Sequence, residues 1–395
     1  RQPLLHTACD REGSGCEEDA AAGRAPDIVP EGTASIAASA FCMTNNMLGA
    51  GMLTLPYALY RGSMIGGLVM LLFIGCLSFY SVLLLACCSE ITGQFSYKAI
   101  AIESFGKQWG SVIEFLVCVL TFLSCVAYAT LAGDFVPKAA AAMHTSPVED
   151  PYLTQILKLL QNRSLVIIFC LTLIDFPLCL LRDLRSLRFT SALAVVCIVF
   201  AGGVVVFYKL AGDGPPLPPN EEPREFYLDP GAFVAASLMS VAFTLHYNAL
   251  RFYRELSRRS IKRMAVASFA AHIACLILYA IVGAAGYSTF GSLIGGAYVC
   301  RNQGPSSSTF QALETCQATT NCSSPCVWDS ARHCGDILNC YPSRPAGLLL
   351  AVARMSLAVC VTLTLPLPFH ACRAAIQKLW LGGEDAAGGC AHVSL

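Results

Sequence analysis

Phe41-Cys42-Met43-Thr44-Asn45-Asn46-Met47-Leu48-Gly49-Ala50-Gly51-Met52-Leu53-Thr54-Leu55-Pro56-Tyr57 is an uncharged, mostly apolar stretch with helix-breaking residues in its middle. Gly49 and Gly51 permit unusual dihedrals and close backbone approach, and Pro56 removes the amide that would bond back toward Met52. The reading is a membrane helix that breaks here. Such a break presents unpaired amides at the start of one half and unpaired carbonyls at the end of the other, suited to a carboxylate and a cation respectively. The plainer alternative is that the glycines only allow tight packing and Asn45 bonds a neighbouring helix.

The surroundings are those of a membrane protein. Of 395 residues 55% are hydrophobic and 13% charged, where a soluble domain carries roughly 25% charged residues. A net charge of zero removes the basic surface a nucleic-acid partner requires. A bilayer core about 30 Å thick takes about 20 apolar helical residues to cross, and Gly62 to Ser89 is 28 residues without a charge. The pattern predicts an all-α, polytopic membrane protein with eight spans near 34–59, 63–88, 110–136, 164–181, 189–208, 231–250, 264–290 and 346–372.

Arg182, Arg185 and Arg188 lie in one short connection, and Arg251, Arg254, Arg258, Arg259, Lys262 and Arg263 in another. The positive-inside rule makes both cytoplasmic and puts the amino terminus inside. Residues 1–33, with seven acidic residues against three arginines and no apolar run, read as a disordered cytoplasmic tail. Residues 34–372 read as the membrane domain and 373–395 as a second cytoplasmic tail, while 94–109 read as a short helix on the inner membrane surface.

Cysteine usage divides between two environments. Most of the 21 cysteines are scattered, many inside apolar spans, but Cys300, Cys316, Cys322, Cys326, Cys334 and Cys340 crowd the polar segment 291–345. That segment is expected to be an extracellular loop restrained by three disulfides, in a connectivity left open. Zinc is the less favoured alternative, because paired Cys-x-x-Cys spacings are absent. Asn321-Cys322-Ser323 is a glycosylation acceptor in this loop, and Asn162-Arg163-Ser164 is a second such triplet abutting a span.

No phosphate loop, histidine pair on a helix or nucleophile elbow is present, so the chain does not read as an enzyme and no cofactor is expected. The informative residues are polar groups inside spans, which are costly in lipid. The sixth span has Ser237, Ser240, Thr244, His246, Tyr247 and Asn248; the eighth has Thr362-Leu363-Thr364-Leu365-Pro366. A lone Ser or Thr in a membrane helix usually bonds its own backbone, but polar groups in three spans together favour a shared cavity.

Leu48 to Ala58, Phe176-Pro177-Leu178-Cys179-Leu180-Leu181-Arg182-Asp183-Leu184, Tyr253-Arg254-Glu255-Leu256, Lys262-Arg263-Met264, Gly286-Tyr287-Ser288-Thr289-Phe290-Gly291 and Val361 to Pro366 resemble, in order and spacing, the amino acid/auxin permease family. The resemblance covers about residues 33–378 and is greatest to the sodium-coupled neutral amino acid transporters. It implies a LeuT-type inverted-repeat fold, with the substrate at the broken first and sixth helices and alternating access. It further implies that Gly49, Ala50 and Gly51 meet the carboxylate of a small neutral amino acid, with Thr244 and His246 on the sixth-helix side. Asn45, Thr362 and Thr364 would hold sodium, and Asn45 would also meet the substrate.

Two departures stand out. The family has eleven spans and this chain shows eight before a polar stretch from Gly382 to Leu395, so the second repeat is expected to be truncated. Asp175 stands where the resembling transporters carry an aliphatic residue, which makes it a proton-coupling candidate; the preferred alternative is that it pairs with Arg182 reaching back from the cytoplasmic end. The leading expectation is therefore sodium-coupled symport, with proton-coupled transport in a vacuole or lysosome and a non-transporting amino acid sensor as rivals. Either the plasma membrane or an endomembrane would suit such a protein.

Overall fold

The computed structural model describes residues 32–49, 51–143, 151–180, 188–212, 223–227, 229–295, 297–300, 326–329, 338, 340 and 348–380. Residues 1–31 and 381–395 of the two tails, Asn321, Arg182, Ala50 and the loop cysteines Cys316, Cys322 and Cys334 lie outside these residues, while residues 373–380 of the expected second tail continue the last helix. The chain is nearly all-helical and is a multi-pass membrane protein. The expected first span is two short helices, α1 (Ile36–Met47) and α2 (Gly51–Gly62). Then come α3 (Met64–Thr92), α4 (Tyr97–Phe105), α5 (Lys107–Met143) and α6 (Pro151–Leu160). The fourth span is α7 (Arg163–Phe169), a π-helical segment (Cys170–Asp175) and α8 (Phe176–Leu180). The fifth is α9 (Arg188–Ala211), and the sixth is again two pieces, α10 (Gly231–Ala242) and α11 (His246–Glu255). The seventh is α12 (Ile261–Phe290), and the eighth is α13 (Leu348–Thr364) continued by α14 (Pro366–Trp380).

Among the described residues, seven helical stretches are long and apolar enough to cross a membrane, and they correspond to spans two to eight. The first span is not in that set; it is two pieces of 12 residues. At about 1.5 Å per residue neither piece spans a bilayer alone. The burial pattern is that of a protein in lipid: Phe73, Phe115, Phe122 and Phe269 face outward. Met43, Met47, Leu48, Met52, Leu53 and Leu55, on both sides of the first break, are shut inside.

Local chemistry explains the helix ends. Ser35 caps α1, Ser96 caps α4 and Ser260 caps α12 by accepting a backbone N–H. Gly93 ends α3 at φ 68° and Gly106 ends α4 at φ 92°, both in the region that favours glycine. These two stops isolate α4, the expected short helix. Asn162 accepts from Ser164 N–H at 3.1 Å and Leu165 N–H at 3.3 Å, so this residue of the second acceptor triplet caps α7.

The packing divides the helices into two groups. α1, α2, α3, α10 and α12 lie together, with α12 packed on α1, α2 and α3, and α10 packed on α2. α5 carries α7, α13 and α14, while α9 packs on both α13 and α12 and so joins the groups. At one end of the bundle Ala34 N–H donates to Glu255 O and Ser257 N–H to Ala34 O, both at 2.9 Å, seating the start of α1 on the end of α11. Residues 223–227 lie against the start of α3, whose orphan amides on Met64 and Ile65 bond Arg224 O and Glu225 O.

In the long loop, β1 (Ala297–Cys300) pairs antiparallel with β2 (Cys326–Asp329), and Cys300 stands directly opposite Cys326. Cys340 is buried. Cys76, Cys118, Cys170 and Cys275, on the helices, form no disulfide.

Candidate functional site

Two interrupted spans meet in the middle of the molecule. α1 stops at Leu48, whose N–H bonds Thr44 O at 2.8 Å, and α2 restarts at Gly51. The interruption falls on the glycines. Pro56 lies inside α2, where it leaves Met52 O without its usual amide. In the sixth span the ladder closes with Phe243 N–H on Met239 O and Thr244 N–H on Val241 O, both at 3.1 Å, and α11 begins at His246. A methyl group on Gly51 would stand 3.0 Å from Ala242 Cα and 3.1 Å from its Cβ. Glycine is therefore what lets the two breaks touch. Gly49 is equally confined, against the Tyr128 hydroxyl.

The helix ends at this junction carry partial charges. The carbonyl ends of α1 and α10 are negative dipole ends, while the first amides of α2 and α11 lie at positive ends. The Tyr279 hydroxyl, buried on α12, lies 2.6 Å from Met47 O and 2.9 Å from Ala242 O, tying the two carbonyl ends together. Below it, Ser78 Oγ is 3.0 Å from Phe243 O and 3.1 Å from His272 Nε2, and His272 Nδ1 is 2.8 Å from Ser268 O.

The expected site residues divide between this junction and its flanks. Asn45 and Asn46 are buried one turn before the break, and among the described residues the Nδ2 group of each has no hydrogen-bond partner. Asn46 Oδ1 accepts from Tyr247 Oη at 3.0 Å and Asn248 Nδ2 at 3.3 Å, linking the first span to the sixth. Gly49 and Gly51 are at the junction itself. Thr244 lies in the second break, its hydroxyl donating to Ser240 O at 2.9 Å.

His246 is turned toward α3: its Nε2 is 2.6 Å from Ser81 Oγ, and its carbonyl accepts from the Tyr97 hydroxyl. Burial, with Glu114 adding, raises the Tyr97 phenol above its ordinary range, so it stays a donor. Thr362 and Thr364 are buried at the end of α13, and Thr364 donates to Cys360 O at 2.8 Å. Asp175 is buried in the fourth span at the end of the π-helical segment.

Sequence reasoning did not single out Tyr279, His272 or Tyr128 for this site. The available signal was a hydroxyl or imidazole in an otherwise apolar span, since a buried tyrosine must find a hydrogen-bond partner.

Residues 32–318 match the family described as transmembrane amino acid transporter protein. A Danio rerio protein provisionally named sodium-coupled neutral amino acid transporter 11 is 26% identical over 259 residues, which are 66% of this chain and 56% of that protein. Vacuolar amino acid transporter 5 of Schizosaccharomyces pombe is 28% identical over 276 residues, 69% of this chain and 62% of its own. Vacuolar amino acid transporter 2 of Saccharomyces cerevisiae is 24% identical over 253 residues, 63% and 50% respectively. The matched stretch thus spans little more than half the length of these relatives.

Proposed function

Because this chain belongs to the transmembrane amino acid transporter family, we propose that it carries a small neutral amino acid across a membrane by alternating access, with sodium as coupling ion. The observation that carries this reading is the contact of the two breaks at Gly51 and Ala242. Amide ends and carbonyl ends meet there in the middle of the bundle, and together they complement a zwitterion. The carboxylate sits on the amides of Gly49, Ala50 and Gly51, and Thr244 lines the other side. His246 contributes indirectly, by fixing the start of α11 through Ser81 and Tyr97.

Sodium is assigned to Asn45, Thr362 and Thr364. Pro366 and Pro368 stand four residues after the two threonines and cannot donate the amides their carbonyls would normally receive. Each threonine can therefore offer a carbonyl and a hydroxyl oxygen to a hard cation. The name of the Danio rerio relative supports sodium. The vacuolar names of the yeast relatives support a proton-coupled version in an endomembrane, which buried Asp175 favours.

The arginine-rich connections and the amino terminus are assigned to the cytoplasm, and the loop 291–345 to the opposite side, with Asn321 its glycosylation site. Three disulfides are assigned to that loop.

The test is uptake of labelled neutral amino acids by the intact protein in liposomes, with sodium and pH gradients imposed separately. An inward sodium gradient is expected to drive accumulation. Uptake that follows only the proton gradient overturns the sodium assignment, and no uptake of any neutral amino acid overturns the substrate class.

A further inference from the structure

Spans three and four hold three acidic side chains, and their surroundings differ. Asp134 Oδ1 is 2.8 Å from Arg163 Nε, and Glu114 Oε1 is 4.0 Å from Lys378 Nζ. Asp175 is 4% exposed, and its Oδ1 has no hydrogen-bond partner. Its neighbours Leu173, Ile174 and Phe176 face lipid, so the carboxyl alone turns into the protein.

The backbone is also unusual at this point. Cys170–Asp175 is a π-helical segment closed by Phe176 N–H on Leu171 O, five residues back, and Pro177 follows directly. Single π turns inside α-helices are concentrated at functional sites. This one packs on α5 and on α13, the helix that ends at Thr364. Asp175 and the eighth-span threonines are therefore carried by one packed unit.

Among the described residues, the titratable groups within electrostatic reach of Asp175 are the thiols of Cys125 on α5, Cys170 on the same segment and Cys179 on α8. Arg373 of α14 lies within reach of Cys179. Among the described residues no ion pair reaches Asp175. A carboxylate stripped of water without a counter-charge is far costlier than the neutral acid.

We propose that Asp175 is a proton-binding site of the transport cycle, holding a proton in the conformation described and exchanging it when the cycle admits water or a cation to the fourth span. Proton binding at Asp175 would be coupled to movement at Thr362 through the π segment. This rests on the transport reading above.

Asp175→Asn imitates the protonated acid and tests the idea. With the intact protein in liposomes, the variant is expected to keep exchange of labelled for unlabelled amino acid while net uptake loses its response to an imposed pH gradient. Infrared difference spectra recorded across a pH step are expected to show a buried carboxylic acid band in the wild type that the variant lacks. A variant whose pH response equals that of the wild type overturns the proposal and favours a structural pair with Arg182; so does an unchanged infrared band. Should the variant fail to fold, wild-type protein is treated with a hydrophobic carbodiimide and mapped by mass spectrometry. Labelling of Asp175 that rises as pH falls supports proton binding, and no labelling at any pH overturns it. A wild type that transports nothing refutes the transport reading, while the infrared and labelling arms still judge the carboxyl.

Discussion

Replacing Tyr279 with phenylalanine removes one oxygen atom from the point where both broken spans meet and leaves the ring in place. That oxygen is 2.6 Å from Met47 O and 2.9 Å from Ala242 O, in a side chain with no exposed surface. A phenol has one proton, so the loss is one hydrogen bond shared between two acceptors rather than two full bonds. A typical net bond contributes about 1 kcal/mol, and leaving a buried acceptor unserved costs about 1–3 kcal/mol. Polar contacts between membrane helices average about 0.6 kcal/mol with a maximum near ~1.7 kcal/mol, because the reference state also finds partners. Both acceptors here are helix-end carbonyls, which places the variant toward the upper end, about 1–2 kcal/mol. The apparent melting temperature in detergent should fall by about 2–5 °C. Apparent substrate affinity should weaken about 5-fold or more, because the carbonyl ends are no longer held together. Tyr80→Phe is the control: Tyr80 is 58% exposed on the lipid side. Equal melting temperature and equal affinity in Tyr279→Phe and Tyr80→Phe would refute the idea that this hydroxyl pins the two breaks.

Gly51→Val should abolish uptake and cost about 1–3 kcal/mol by overpacking, since even one methyl group there stands 3.0 Å from Ala242 Cα; normal uptake by this variant would show that the breaks can separate without consequence. Thr362→Val keeps volume but removes an oxygen, so sodium activation should shift to about 10-fold higher concentration, a loss of about 1.4 kcal/mol. An unchanged sodium response, measured as uptake against sodium concentration, excludes the hydroxyl as ligand. Mass mapping without reduction should find no alkylated thiol from Cys300 to Cys340, and several free thiols there would refute the three-disulfide loop.

The eight spans and the break in the first were legible in the sequence because lipid imposes a local rule. A bilayer needs a fixed length of apolar helix, and Gly49 and Gly51 disturb such a helix wherever it packs. The second break was not legible in the same way. Val241-Ala242-Phe243-Thr244-Leu245-His246 contains neither glycine nor proline, so only the resemblance implied an interruption there. What opens it are partners from distant elements: Ser78 at Phe243 O, Tyr279 at Ala242 O and Tyr97 at His246 O. The direction of the His246 ring was likewise decided by Ser81, 165 positions away in the chain. Backbone groups buried in a membrane must be served by some donor or acceptor. The sequence lists the available donors, but only the packing of α3 and α12 against the broken helices determines which carbonyl each one reaches.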